Sequence, residues 1–256
     1  MFAETIFGVI LIVITLYIVY SIIHSGPSTK DLVPSTQSLA EKKDILYPDQ
    51  TQSLLLGGAG STVMGFFKLE NGDKTVKFAN SFTPLLQVEN NWFLEVAPAP
   101  AGRDHTTARL RIQTNDAGVF KQEVIDLPNI PKQKWVFLAI LRDGRRFDVM
   151  YDNQIVASQR LESYPVIISS SLSVGNNGLS GYVSHVLVNG IRLTPSQVER
   201  ERLTYVNTNN TVVDADPVAS SFPSVKLFAQ CPSGLPCDPI TKPPSNNLLQ
   251  WRSPYA

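Results

Sequence analysis

The chain has 256 residues, and its 22 Lys and Arg balance its 22 Asp and Glu, so the formal net charge is zero. A protein that binds nucleic acid nonspecifically needs a basic excess to release counterions, and a long disordered acidic protein needs fewer hydrophobic residues than the 43% found here. Composition therefore excludes both classes. Two Cys are too few for a scaffold built on disulfides, and 18 Pro with 15 Gly indicate many turns.

An uncharged hydrophobic run, Ile6–Ile23, lies near the start of the sequence. Its 18 residues would form a helix about 27 Å long, which is enough to cross the hydrocarbon core of a bilayer. A cleaved signal peptide, one alternative, normally has a basic segment before such a run, whereas only Glu4 is charged here. The other alternative is a buried core helix. We predict a retained single-pass membrane anchor within residues 1–25, with these residues in the bilayer: Ile6, Val9, Leu11, Val13, Leu16, Ile18 and Ile22.

Lysines near the hydrophobic run predict its orientation, because Lys and Arg favour the cytosolic side of a membrane. None precedes the run, whereas Lys30, Lys42 and Lys43 follow it. The body of the protein is therefore expected to face the cytosol. The opposite orientation would make Asn209 the acceptor of a glycosylation sequon.

Residues 26–51 combine three prolines with polar residues and are predicted to form a stalk. From 52 to 205, short apolar runs alternate with turn residues, which predicts an antiparallel β-domain. Its predicted strands include Ser61–Leu69, Thr75–Ala79, Pro84–Glu89, Trp92–Ala97, Ala108–Thr114, Pro165–Val174, Gly181–Val188 and Ile191–Leu193.

The most distinctive pattern in this domain predicts a three-stranded meander. Lys134–Leu141 is a nearly continuous apolar run, and Asp143-Gly144 is a dipeptide typical of a tight hairpin turn. Arg145–Tyr151 returns with one mostly apolar face, and Asp152-Asn153 turns the chain again into Gln154–Gln159. These three strands are expected to be neighbours in one sheet.

A short helix and a long arm are predicted to follow the strands. Thr194 and Gln197 have the spacing of a capping box, so a helix is expected over Ser196–Tyr205. Residues 206–256 are Pro-punctuated and carry isolated apolar residues, which predicts an extended arm that docks on this domain or on neighbours. Its candidate contact anchors are Phe228, Trp251 and Tyr255, and Cys231 and Cys237 would form either a small disulfide loop or two free thiols.

Five motifs between residues 52 and 205 stand in the order typical of one fold family. They are W-x-x-x-A-x-x-x-D-G from Trp135, V-M-Y-D-N-Q-I-V from Val149, L-S-V-G from Leu172, L-S-G-Y-V-S-H-V-x-V from Leu179 and L-T-P-S-Q-V from Leu193. This succession resembles the concanavalin A-like, laminin G-like jelly roll, which is an all-β antiparallel sandwich. The family usually has an acidic pair where Ser184 and His185 stand, so a calcium or ligand role of that pair is not carried over.

The carboxylates do not indicate an enzyme. Laminarinase-like hydrolases of this fold family carry E-x-D-x-E on one strand, which places acid and nucleophile on the same face, and the sequence has no such triplet. Glu123 and Asp126 are three residues apart and would face opposite sides of a strand. A Ser-His-Asp site through His105 or His185 lacks a nucleophile motif. We therefore predict a protein that is not an enzyme and has no cofactor and no metal site.

Two kinds of contact site are suggested by the loops. Arg142, Arg145 and Arg146 surround the predicted hairpin tip and form a candidate basic contact patch. Aromatic residues beside polar loops supply the elements of a glycan site, although the same residues are typical of ordinary turns and cores. The glycan candidates are Asn90, Asn91, Trp92, Arg103, Asp104, His105, Tyr164, Asn176 and Asn177.

The predicted function is a non-enzymatic, membrane-anchored structural or tethering protein. An anchored single domain of this kind resembles minor capsid or membrane-associated virion proteins of large DNA viruses, where it would link an internal membrane to the capsid shell. The expected partners are a lipid bilayer and other structural proteins, reached through the domain surface and the arm, and no nucleic acid. The alternative is a membrane-anchored, carbohydrate-binding lectin, which requires the opposite orientation.

Overall fold

The computed structural model describes residues 11–17, 19, 29–58, 60–70, 82–97, 104–207, 209 and 211–213. Within them the chain forms two seven-stranded antiparallel sheets, which share one apolar core. The predicted antiparallel β-sandwich is therefore confirmed. Outside the described residues lie the predicted strand Thr75–Ala79 and these predicted site residues: Ile6, Val9, Ile18, Ile22, Arg103, Phe228, Cys231, Cys237, Trp251 and Tyr255.

In chain order the strands are β1 (Lys30–Asp31), β2 (Gln37–Ser38), β3 (Lys43–Leu46), β4 (Gly60–Leu69), β5 (Thr83–Val88), β6 (Trp92–Val96), β7 (His105–Asp116), β8 (Val119–Pro131), β9 (Trp135–Asp143), β10 (Arg146–Tyr151), β11 (Gln154–Arg160), β12 (Tyr164–Pro165), β13 (Leu172–Val174) and β14 (Gly181–Asn189). The first sheet has the order β1-β14-β4-β9-β10-β11, with β2 also paired to β14. The second has the order β12-β7-β6-β5-β13-β3, with β8 also paired to β7. The helices of the domain are α1 (Pro48–Thr51), which continues into a π-helical turn at Gln52–Leu56, and α2 (Pro195–Thr204).

Strand β9 is buried on both faces. Successive side chains of a strand point to opposite faces of its sheet, so alternate residues of β9 enter different apolar clusters. Those in the core between the sheets are Val136, Leu138 and Ile140, and those in an outer cluster are Phe137, Ala139 and Leu141. Burial on both faces explains why the sequence shows a continuous apolar run here.

The outer cluster is covered by α2. Thr194 caps this helix, since its side chain accepts a hydrogen bond from the Gln197 backbone N–H and its own N–H donates to Gln197 Oε1 over 2.8 Å. The predicted capping box is therefore confirmed. Val198 on the helix and Leu193 before it are buried in the outer cluster, so the helix gives the first sheet a second apolar layer.

The structure differs from the predicted stalk. Strands β1, β2 and β3 lie within residues 26–51 and pair with β14 or β13 at the edges of the two sheets. Val33 and Leu39 between them are fully buried. Strands of two residues have no apolar period for a sequence pattern to reveal, which is why the composition of this segment predicts a linker.

Two other segments predicted as strands are mostly irregular. Only the ends of Pro165–Val174 pair in a sheet, as parts of β12 and β13. The segment Ile191–Leu193 is not a strand, because side chains replace strand neighbours as its partners. The Ile191 N–H donates to Asn189 Oδ1 over 3.1 Å, and the Leu193 N–H donates to Thr62 Oγ1 over 2.9 Å.

The two turns of the meander fix where its arginines lie. Asp143 pairs with Arg146, so the turn consists of Gly144 and Arg145, one residue later than predicted. Gly144 has φ +56°, and two-residue hairpin turns need a positive φ at this first central position. The second turn lies at the predicted residues, with the positive φ of 52° at Asp152. Arg145 therefore stands at the tip of the β9–β10 hairpin.

Residues 11–17 and 19, inside the predicted anchor, are helical. Their apolar side chains are exposed, among them Leu11, Val13 and Leu16. Of the helices in the described ranges, none combines the length and the apolar character needed to span a bilayer. The anchor remains a prediction from the sequence.

Candidate functional site

Two loops and strand β8 meet at one end of the sandwich, which we call the hairpin end. The Arg145 carbonyl accepts a hydrogen bond from the Leu161 N–H over 2.9 Å, which joins the β9–β10 turn to the connection between β11 and β12. The Glu123 carboxylate on β8 accepts from the N–H groups of Glu162 (2.9 Å) and Ser163 (3.1 Å). These bonds hold the loops of both sheets together at this end.

A groove of about 620 Å³ lies at the hairpin end. Tyr164 forms one wall and is 69% exposed. The Arg145 guanidinium lies 4.9 Å from the centre of the Tyr164 ring and donates to the Glu162 carbonyl over 2.9 Å, so it fixes the ring by a cation–π contact. The described residues that line the groove are Asp143, Gly144, Arg145, Arg146, Ser158, Arg160 and Tyr164.

Two arginines face each other in the groove. Arg146 on β10 is directly opposite Arg160 on β11, and like charges in that position repel. Arg146 Nε donates to Asp148 over 2.9 Å, and Arg192 pairs with the same carboxylate. Within the described part of the chain, the Arg160 guanidinium has no carboxylate partner. An anion bound between the two guanidinium groups would relieve this repulsion.

Asp148 lies beneath the groove, with its side chain only 1% exposed. It accepts hydrogen bonds from Ser158 Oγ over 2.6 Å, from Arg146 Nε over 2.9 Å and from Arg192 Nη2 over 2.5 Å. Burial opposes ionisation of this carboxyl, but the hydrogen bonds from Ser158, Arg192 and Arg146 outweigh it and hold the pKa of Asp148 below its ordinary value. Asp148 thus stays charged and positions Arg146 at the groove.

An apolar surface adjoins the groove through Tyr164. We call it the apolar shelf, and it consists of Phe120, Tyr164, Pro165, Ile167 and Ile168. Phe120 is 65% exposed and Ile167 is 55% exposed. Contiguous apolar side chains on a surface are typical of contact sites, so the shelf extends the candidate site beyond the groove.

The structure separates the three arginines of the predicted patch. Arg145 and Arg146 line the groove, whereas Arg142 is buried and donates from Nη1 to the Leu55 carbonyl over 2.9 Å. Burial lowers the pKa of Arg142. Its guanidinium therefore holds the turn at Gln52–Leu56 against β9. Sequence reasoning misses Arg160, because a regular register from the Asp152-Asn153 turn would put Gln159 opposite Arg146. A bulge between Val149 and Met150 shifts Arg160 into that position.

Most of the predicted glycan residues do not line the groove. Trp92 is buried in the core. The Asn91 amide donates to the Ile168 carbonyl over 2.8 Å and accepts from the Ile168 N–H over 3.0 Å, so it positions the shelf. Tyr164 alone of the described candidates lines the groove, while His105 and Asn177 are exposed elsewhere.

His185 is fully buried and links distant parts of the chain. Its Nδ1 lies 2.9 Å from Asp31 Oδ2, and its Nε2 lies 2.8 Å from the Val213 carbonyl. Its ring packs 4.3 Å from the ring of Tyr205, measured between centroids. Among the described residues, no three His, Cys, Asp or Glu side chains converge as metal ligands. The contacts of His185 are those of a structural residue.

No protein-family model matches the sequence, and no curated protein matches it either. The fold is similar to the receptor-binding domain of botulinum neurotoxin C/D mosaic serotype, at 12% identity and a TM-score of 0.47, over 70% of this chain and 46% of that chain. It is also similar to the Ruminococcus gnavus IT-sialidase CBM40, at 13% identity and a TM-score of 0.46, over 69% of this chain and 99% of that chain. Sequence identities and TM-scores this low do not identify a ligand for this chain.

Proposed function

We propose that the protein is a non-enzymatic binding module that holds an anionic ligand in the groove at the hairpin end. The observation that carries this proposal is the pairing of Arg146 with Arg160, of which only Arg146 has a described carboxylate partner. Guanidinium groups bind carboxylate, sulfate and phosphate through two parallel hydrogen bonds. Tyr164 adds a flat apolar wall, so the preferred ligand carries its charge beside an apolar face.

An acidic sugar is one ligand with this chemistry, which is the lectin alternative. Its C–H face would pack on the Tyr164 ring while its carboxylate lies between the arginines. The CBM40 domain has been solved bound to α2,3 and to α2,6 sialyllactose, and these sugars are convenient probes of the same charge. The polar head of an acidic lipid is the other source of that charge.

Tethering at a membrane is the second part of the proposal, and the hydrophobic run Ile6–Ile23 supports it. The described helical residues within that run expose apolar side chains, which a bilayer would cover. In the orientation expected from the lysines, the module faces the cytosol. A structural link between a virion membrane and a capsid shell, made through the domain surface and the C-terminal arm, is a narrower form of this proposal.

Replacing Arg160 with Glu is expected to weaken binding of an anionic ligand at least about tenfold, because a charge-assisted hydrogen bond contributes about 1.5–3 kcal/mol. The measurement is calorimetric titration of the detergent-solubilised full chain with 3′-sialyllactose and with glycerophosphoserine, using lactose as the neutral comparison. Arg200→Glu is the matched control, since Arg200 is exposed on α2 and does not line the groove. Equal binding by the wild type and Arg160→Glu, or no binding of either anion, would contradict the proposal.

A further inference from the structure

The apolar shelf projects from the domain at the β7–β8 hairpin. A Cβ built on Gly118 at the hairpin tip would meet no described atom within 4 Å, so the tip stands in open space. Val119 and Phe120 beside it are exposed, as are Ile167 and Ile168 on the adjoining segment. A projecting apolar tip suits insertion into a soft apolar surface, because a rigid partner would need a matching cleft.

Positive charge borders the shelf. Arg145 and Arg160 lie in the groove next to it, and neither has a carboxylate partner in the described ranges. Lys121, close to the tip, is already paired with Asp116 over 2.6 Å. Apolar residues beside arginines that lack a carboxylate match the chemistry of an acidic lipid surface, in which anionic headgroups cover an apolar layer.

The chain enters the sandwich at this same end. Thr29 accepts a hydrogen bond from Asn189 over 3.2 Å and donates to Glu201 over 3.0 Å, which fixes the entry point. The register of β1, β14, β4, β9 and β10 puts Thr29 in the row of Asp148, level with the β9–β10 turn along the strands and about 19 Å across the sheet from β10. The apolar run ends at Ile23, and residues 24–28 can span at most about 18 Å. A bilayer holding the apolar run would therefore lie within reach of the hairpin end.

We infer that the hairpin end docks on an acidic bilayer surface, with Arg145 and Arg160 among the headgroups and Phe120 and Ile167 in the interface. This inference rests on the proposed function, since it names the source of the anionic ligand in the groove. If the groove binds a soluble acidic sugar and the hairpin end does not contact the bilayer, the docking inference is excluded.

The test uses the full chain in lipid nanodiscs, with Cys231→Ser and Cys237→Ser so that one nitroxide label can be placed at Phe120→Cys. Oxygen concentrates in the bilayer and a nickel chelate stays in water, so the ratio of their collision rates with the label reports membrane contact. In nanodiscs with about a third phosphatidylserine, we expect this ratio to be at least about threefold higher than in detergent. Lys134→Cys is the matched control and should stay water-like, because Lys134 is exposed just before β9, at the end of that strand opposite the hairpin. Ile167→Cys gives a second reading if Phe120→Cys does not fold.

Charge variants separate this inference from the proposed function. Arg145→Glu with Arg160→Glu should return the label at position 120 to water-like values, while Arg200→Glu should not. A water-like label in acidic nanodiscs, with 3′-sialyllactose still bound in the groove, would overturn the docking inference and leave the proposed function standing. If the wild type shows neither membrane contact at the label nor anion binding in the groove, the docking inference and the proposed function are both overturned.

Discussion

Replacing His185 with Ala is expected to lower the free energy of unfolding by about 4 kcal/mol. The substitution removes two hydrogen bonds and leaves the Asp31 carboxylate and the Val213 carbonyl without their described ring partner. It also leaves a cavity beside Tyr205, against which the ring packs. Because Asp31 lies on β1 and Val213 follows α2, one side chain holds both flanking segments to the first sheet.

Urea denaturation followed by circular dichroism measures this loss. His105→Ala is the matched control, because His105 is exposed at the start of β7 and its removal should change the unfolding free energy by less than about 0.5 kcal/mol. A loss below about 1 kcal/mol for His185→Ala would show that the His185 contacts contribute little to stability.

Replacing Asp148 with Asn is expected to cost about 3 kcal/mol of unfolding free energy. The carboxylate is buried and accepts hydrogen bonds from Arg146, Arg192 and Ser158, so its neutralisation leaves two guanidinium groups uncompensated. Asp143→Asn is the matched control, since Asp143 is exposed at the same hairpin. Equal costs for the two variants would contradict a special role of Asp148.

Because the pKa of Asp148 is lowered, the effect of Asp148→Asn on stability should depend on pH. A carboxyl whose folded pKa lies below its unfolded value of about 3.9 stabilises the fold above that value, and the contribution is lost as pH falls through the folded pKa. The stability difference between the wild type and Asp148→Asn should therefore shrink below about pH 4. A difference that stays constant from neutral pH to about pH 3 would contradict this assignment.

Sequence patterns predict the elements that have a strong local signal. β9 is visible because both of its faces are buried, and the meander because its turns contain Gly144 and Asp152-Asn153. β8 gives no such signal, because its outward residues are exposed and polar along much of its length and only a few of its side chains enter the core. The two-residue strands β1 and β2 depend on β14 for their pairing, which no local pattern encodes.

The candidate site is predicted only in part, for a geometric reason. Arg145 and Arg146 are found because they adjoin a recognisable hairpin tip. Asp148 and Arg192 are 44 residues apart in sequence, and only the folded chain brings them together. The contact of Arg145 with Tyr164 likewise joins a strand turn of the first sheet to an edge strand of the second.

Anion binding in the groove is tested most directly by NMR of the arginine side-chain Nε–Hε signals of the full chain in detergent. With 3′-sialyllactose or glycerophosphoserine, the signals of Arg146 and Arg160 are expected to shift saturably, and lactose should leave them unchanged. Shifts that are absent, or that occur equally at Arg200 on the exposed face of α2, would contradict the assignment of the groove as the binding site.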